Sequence, residues 1–237
     1  GAEAAREVEA CVPRLTPGSA YWCQAMGGAL VTRTQAGAFD SIAPLSQVLL
    51  EIEPGPAART TYARGVQSNV LMFAAVGFPA LSRGFLARLE HVARLQGEAD
   101  PITQAHLHLG RASAARCLDG DAAAALAEAR ASRACFAAAG GSPSVGFVDL
   151  EELLARAALG DPTLLAELEE IVSARPGATP FLPQLAALLA LVVGGMLLLG
   201  SVGLRRADRR VGHRPRLRRV CYHRRANFPG TARQRQV

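Results

Sequence analysis

The sequence contains no lysine; each of its 26 basic residues is an arginine. A P-loop needs a lysine to reach the nucleotide phosphates, and a protein kinase needs one on a strand near its glycine-rich loop. Neither chemistry resides in these 237 residues. The Asp-Phe-Gly triplet of kinases is missing, and His223-Arg224 is followed by Arg225, which cannot act as a base. There is no Gly-x-Ser-x-Gly nucleophile elbow and no His-Glu-x-x-His zinc motif. Aromatic residues make up only 5% of the chain, β-branched residues rarely occur in runs, and no long stretch alternates with period two, so a sheet is not expected. The five cysteines (Cys11, Cys23, Cys117, Cys135, Cys221) are odd in number and form no Cys-x-x-Cys pair. That excludes a disulfide framework or zinc site as the expectation and leaves buried free thiols.

What is present is alanine and leucine, strong helix formers within a chain that is half hydrophobic. Four similar turns centre on Gly37, Gly77, Gly120 and Gly160, spaced 40, 43 and 40 residues apart. Each stands where one apolar-periodic segment ends and another begins, as a left-handed helix cap requires. A second set of breaks interleaves with them: Thr16-Pro17-Gly18, Pro54-Gly55-Pro56, Asp100-Pro101, Gly141-Ser142-Pro143 and Pro176-Gly177. Proline there suits the first turn of a following helix, with Asp100 or Ser142 as N-cap. The spacing predicts helices over residues 2–14, 18–36, 40–53, 57–76, 79–96, 101–118, 121–139, 143–159 and 162–175. In the fifth, Leu81, Phe85, Leu86, Leu89, Val92 and Ala93 form the buried stripe, and Arg83, Arg88, Glu90 and Arg94 fall mainly on the other side. Leu150, Leu153, Leu154, Ala157 and Ala158 form the corresponding stripe of the eighth. The fold class read from this pattern is all-α, a stack of antiparallel helix pairs in an α-solenoid, since one pair cannot bury its apolar face alone.

Leu109-Gly110, Ala122, Leu126 and Ala129 resemble part of the tetratricopeptide pattern: a Leu-Gly pair in the first helix and small residues at close-packed positions of the second. The resemblance implies a right-handed TPR-like stack. Pro17-Gly18-Ser19-Ala20-Tyr21-Trp22 and Ala134-Cys135-Phe136-Ala137-Ala138-Ala139-Gly140 are similar to phrases in the C-terminal helical regions of myxobacterial multidomain serine/threonine kinases. This second likeness covers about residues 1–175. It implies a regulatory or partner-binding segment in bacterial signalling, with any kinase domain lying upstream.

The domain reading is a helical-repeat domain over 1–176, a linker over 177–184, an apolar segment over 185–204 and a basic tail over 205–237. Leu185–Leu204 is twenty residues without a charge, enough at about 1.5 Å per residue to span a bilayer's hydrocarbon core. Two readings stay open: a transmembrane helix, or the buried first helix of a fifth repeat. The tail holds twelve arginines against one acid, Asp208, a net charge of +11; the other 204 residues hold fourteen arginines and nineteen acids, a net charge of −5. Without apolar periodicity the tail is expected to be disordered. Arg205, Arg206, Arg209 and Arg210 outnumber Arg175 on the preceding flank, which places the tail in the cytoplasm of a single-pass inner-membrane protein. A cytoplasmic protein is the alternative. For the tail, attraction to anionic lipid through Arg205–Arg210, nucleic-acid binding with Tyr222 and Phe228 as stacking residues, and translation in a shifted frame all remain open, nucleic acid being the weakest.

No residue is singled out as catalytic, cofactor-binding or metal-ligating. His106 and His108 stand two apart, about 200° around a helix, and cannot share a metal. His91 reads as a solvated or capping residue. Glu151, Glu152, Glu167, Glu169 and Glu170 read as a solvated face rather than paired carboxylates. Tyr21 and Trp22 read as core, with groove lining as the other option. The function expected is a non-enzymatic scaffold holding a protein or peptide on the repeat surface.

Overall fold

The computed structural model describes residues 10–97, 99–141, 145–164, 166 and 167. Among the described residues the fold has seven α-helices and no strand. They are α1 (Ala20–Gln35), α2 (Ile42–Glu51), α3 (Arg59–Ala75), α4 (Pro79–Gln96), α5 (Pro101–Ala114), α6 (Ala122–Ala138) and α7 (Val145–Ala158). The expected linker 177–184, apolar segment 185–204 and tail 205–237 lie outside the described residues, as does nearly all of the helix expected over 162–175. Of the helix expected over 2–14, the described part contains the 3-10 turn Val12–Arg14. Among the described residues no helix is long and apolar enough to cross a membrane.

Sequence chemistry explains where the helices end. Gly37, Gly77, Gly120 and Gly160 all take positive φ, between 70° and 86°. After three of them the chain closes with the same hydrogen bond, from the residue after the glycine to a carbonyl five residues back: Ala38 N to Arg33 O, Phe78 N to Phe73 O, Asp161 N to Arg156 O. After Gly120 the donor, Asp121 N, reaches six residues back to Ala115 O. The reason is a π-turn, Ala115–Asp119, which widens the end of α5 and corrects the α-helix expected to run to 118. At the starts, Ser19 accepts from Trp22 N, Asp100 from Ile102 N and Asp121 from Ala124 N.

Consecutive helices pack in pairs, and alternate ones also meet: α1 touches α2 and α3, α3 touches α4 and α5, and α5 touches α4, α6 and α7. α3 is the central element. It buries Tyr62, Val66, Val70 and Phe73, each contributing about 1.5–3 kcal/mol of burial. Phe73 stacks at 5.4 Å on Phe85 of α4, within the stripe expected there. α1 and α3 come closest at Gly27 and Gly65, where a Cβ on Gly27 would lie 2.9 Å from the Gly65 Cα. Asn69 fixes this crossing by donating to both the Gly27 and Gly65 carbonyls, at 3.2 and 2.8 Å. A Cβ on Gly110 would sit 3.0 Å from Leu89 Cδ2, so the Leu-Gly pair marks a tight contact of α5 with α4.

Three expectations are corrected by packing. Arg88 does not face solvent: its guanidinium donates to the Tyr62 hydroxyl, the Ile52 carbonyl and Glu53, while Tyr62 donates to the Leu49 carbonyl at 2.6 Å. The arginine thereby ties the end of α2 to α3 and α4. In α7 the buried residues are Val148, Glu151, Leu153 and Ala155, whereas Leu150 and Leu154 are only half-buried. Of the cysteines, Cys23 is buried, Cys117 and Cys135 are half-buried and Cys11 is exposed.

Candidate groove along the first helices

One face of α1 carries small and polar residues at helical spacing: Gln24, Gly28, Val31 and Gln35. α3 does the same with Thr61, Arg64, Ser68, Leu71 and Met72. Packed side by side, and joined by Ile102 and His106 of α5 and Phe147 of α7, these residues line a half-open cavity of about 490 Å³. Its floor is low because three glycines, Gly27, Gly28 and Gly65, bring backbone rather than side chains to the surface. A Cβ on Gly28 would meet nothing within 4 Å. That residue faces open space, unlike its neighbour Gly27. Tyr21, read from the sequence as core, is instead 77% exposed, three residues before Gln24 and on the same face of α1. Trp22 is core, as expected.

The electrostatics of the groove are one-sided. Its lining includes one arginine and no carboxylate. Most arginines on the described helices are engaged with acids: Arg83 with Asp119, Arg88 with Glu53, Arg111 with Glu90, Arg116 with Glu151, Arg133 with Asp149 and Glu152, Arg156 with Asp161 and Glu167. Arg64 is exposed and is paired with none among the described residues. Asp100, bonded to the groove residue Thr60, is spent within the fold. It accepts from Thr60 at 2.7 Å, Thr103 at 2.6 Å and Ile102 N at 3.1 Å. Burial opposes its ionisation, yet these hydrogen bonds hold it below the usual carboxylate range.

His106 forms part of the inner wall. It is only 2% exposed, its ring stands edge-on to Phe136 at 5.2 Å, and its Nδ1 is buried without a hydrogen-bond partner. Burial, and secondarily the charge of Arg64, push its pKa down to about 4, so the imidazole is neutral at pH 7. His108 turns the other way and pairs with Glu128 of α6 at 2.7 Å. The two histidines are not brought together, in line with their spacing. His91 is partly exposed, 3.6 Å from Glu53.

Two of the glutamates expected on a solvated face, Glu151 and Glu152, are a correction. Glu151 is 2% exposed and accepts from Arg116 Nε at 2.8 Å, Arg116 Nη2 at 3.0 Å and Ser113 Oγ at 2.9 Å. Glu152 pairs with Arg133, and Glu167 with Arg156. The first two pairs join helices, while the Glu167 side chain stays partly exposed; Glu169 and Glu170 lie outside the described residues.

No protein-family model, no curated protein and no solved structure matches this chain. The site is therefore read from its own chemistry. Among the described residues no three His, Cys, Asp or Glu side chains converge as metal ligands. The buried Cys23 thiol is pushed up to about 11, which makes it a poor nucleophile. Half-burial raises Cys117 and Cys135 as well. What the groove offers is amide and hydroxyl groups, one cation and an apolar floor, a set suited to holding a chain. Sequence reasoning passed over Gln24, Gly28 and Arg64. The signal available was the polar and small residues recurring at three- and four-residue steps in the middle of two first helices.

Proposed function

We propose that this chain is a non-catalytic helical-repeat scaffold for protein–protein interaction, and that the groove along α1, α3, α5 and α7 is where it holds a partner. The carrying observation is that one continuous cavity is lined by the first helix of every pair. A TPR-like, right-handed stack of antiparallel pairs is the arrangement this supports, and such stacks use that inner face for extended peptides or helices. The likeness to kinase C-terminal regions supports a setting in bacterial signalling, as a module beside a catalytic domain.

Gly28→Trp tests the reading, because the indole enters the groove from a position where a Cβ meets no neighbour. Partners captured from the source cells by the wild-type chain are expected to be lost from this variant while its helical circular dichroism stays unchanged. An identical partner set for both proteins would sink the assignment.

A second reading concerns placement rather than activity. The uncharged run Leu185–Leu204, followed by Arg205 and Arg206, supports a single-pass inner-membrane anchor with the tail in the cytoplasm. Retention in the membrane fraction after alkaline carbonate extraction is the expected result; release into the supernatant would favour the cytoplasmic alternative.

A further inference from the structure

We infer that the groove selects an extended peptide bearing an acidic side chain, received by Arg64, with an apolar residue three positions away received by Leu71 and Met72. This rests on the groove being the binding face, as proposed above.

The length of the groove argues for a peptide. From Thr60 to Met72 the lining of α3 runs twelve residues, about 18 Å at 1.5 Å per residue. At about 3.3 Å per extended residue that accommodates five or six residues of a peptide. The glutamines Gln24 and Gln35 and the Thr61 hydroxyl offer both donors and acceptors, the groups an unpaired backbone needs, while Ser68, whose hydroxyl donates to the Arg64 carbonyl, offers an acceptor.

Charge argues for an acid. Arg64 is the lining's only arginine, it faces solvent, and no carboxylate of the described fold neutralises it. A carboxylate entering the groove meets a guanidinium without displacing an existing partner, and no acid on the walls repels it. A basic residue at the same place would meet Arg64 with no compensation. Spacing supplies the second determinant. Leu71 lies seven residues beyond Arg64, about 10 Å along the axis, which is the reach of three extended residues. Leu71, Met72 and Val31 all line this part and are only half-buried, so they gain from an apolar side chain laid against them.

The experiment is affinity selection from a soluble pool of ten-residue peptides that fix Glu, Gln or Lys at one position and Leu three positions to either side. The pool is offered to the full chain and to its Arg64→Glu and Gly28→Trp variants, and bound peptides are read by mass spectrometry. The arginine-rich tail attracts acidic peptides in all three proteins alike, so only differences between them report on the groove. Both substituted positions are exposed and make no side-chain contact that folding requires, and circular dichroism checks this. The expected result is a preference of about tenfold for Glu over Gln in the wild type. It should invert to Lys in Arg64→Glu and vanish in Gly28→Trp. Peptides lost in Gly28→Trp but with no acid preference, and indifferent to Arg64→Glu, would overturn this inference and leave the groove standing. No peptide lost in Gly28→Trp would overturn both.

Discussion

Gly27 and Gly28 are neighbours with opposite tolerances. A Cβ on Gly27 would approach the Gly65 Cα to 2.9 Å, backbone that cannot step aside, so Gly27→Ala is expected to destabilise the protein by about 1–2 kcal/mol through overpacking. Gly28 has open space around the same position and lies within α1 without a positive φ. Gly28→Ala is therefore expected to stabilise by about 0.5–1 kcal/mol, since alanine has less backbone freedom to lose in a helix. Urea denaturation of both variants measures the pair; changes of the same sign would contradict the packing of α1 on α3. His106 gives a second residue-level prediction. Its folded-state pKa of about 4 lies below the ordinary histidine value of 6.5. Between those values the unfolded chain takes up a proton that the folded protein refuses, so stability is lost as pH falls from about 6.5 to about 4, by about 3 kcal/mol in total. The charged and titratable groups acting on the ring are Arg64, which opposes the proton, and Asp100, which favours it less strongly. His106→Leu removes this dependence, so its stability relative to wild type should grow across that window; parallel pH profiles of the urea midpoints would refute it. His106 itself was legible as a residue unable to share a metal with His108, but not as a buried wall, because Phe136 and Arg64 lie far away in sequence.

At the scale of the element, a buried ion pair joins α5 to α7 beside their shared apolar contacts. Glu151 of α7 is almost wholly enclosed and takes three hydrogen bonds from Ser113 and Arg116, which sit at the end of α5 and in its π-turn. Removing the cation alone leaves an enclosed carboxylate without a counter-charge. Arg116→Met is expected to cost about 3 kcal/mol, and the double variant Arg116→Met, Glu151→Leu to recover most of it. Amide exchange in α7 should rise first in the single variant. A double variant no more stable than the single one would show that the pair's shape, not its charge balance, holds α7. This element also marks the boundary of what the sequence reveals. The helix ends were legible to within a few residues, because Gly37, Gly77, Gly120 and Gly160 need left-handed geometry and Asp100 caps its own helix. The buried face of α7 was not. A leucine stripe at 150, 153 and 154 outscored a glutamate, and only the arginine 35 residues away makes Glu151 a core residue. The π-turn was likewise invisible, since nothing in Ala115–Asp119 forbids a further turn of α-helix.

Across the whole molecule, apolar mass is unevenly spread. The main core joins Trp22, Met26 and Leu30 of α1 to Tyr62 and Phe73 of α3 and to Phe85 and Leu89 of α4. Towards the other end, a small cluster of Ala105, Leu109, Phe136 and Val148 holds α5, α6 and α7 together. α6 buries Ala125, Ala129, Ser132 and Phe136, so only one large side chain anchors a helix of seventeen residues. Alanine permits the close approach that places Ser132 Oγ 2.8 Å from the Ala105 carbonyl, but each buried methyl returns little free energy. Where helices contact chiefly those near them in the chain, local stability follows local burial rather than one global value. The alanine-rich composition was legible from the start; its consequence needed the knowledge that only Leu109, Phe136 and Val148 among the large residues are fully buried in this cluster. Native-state hydrogen exchange in low urea is thus expected to show amides of α6 and α7 opening first. Those of α3 and α4 should open last, with a difference of about 2 kcal/mol between the two groups, comparable to one or two buried aromatic side chains. Uniform opening free energies from α1 to α7 would mean that the helices unfold as a single unit, and would weaken the repeat reading on which the groove's role depends.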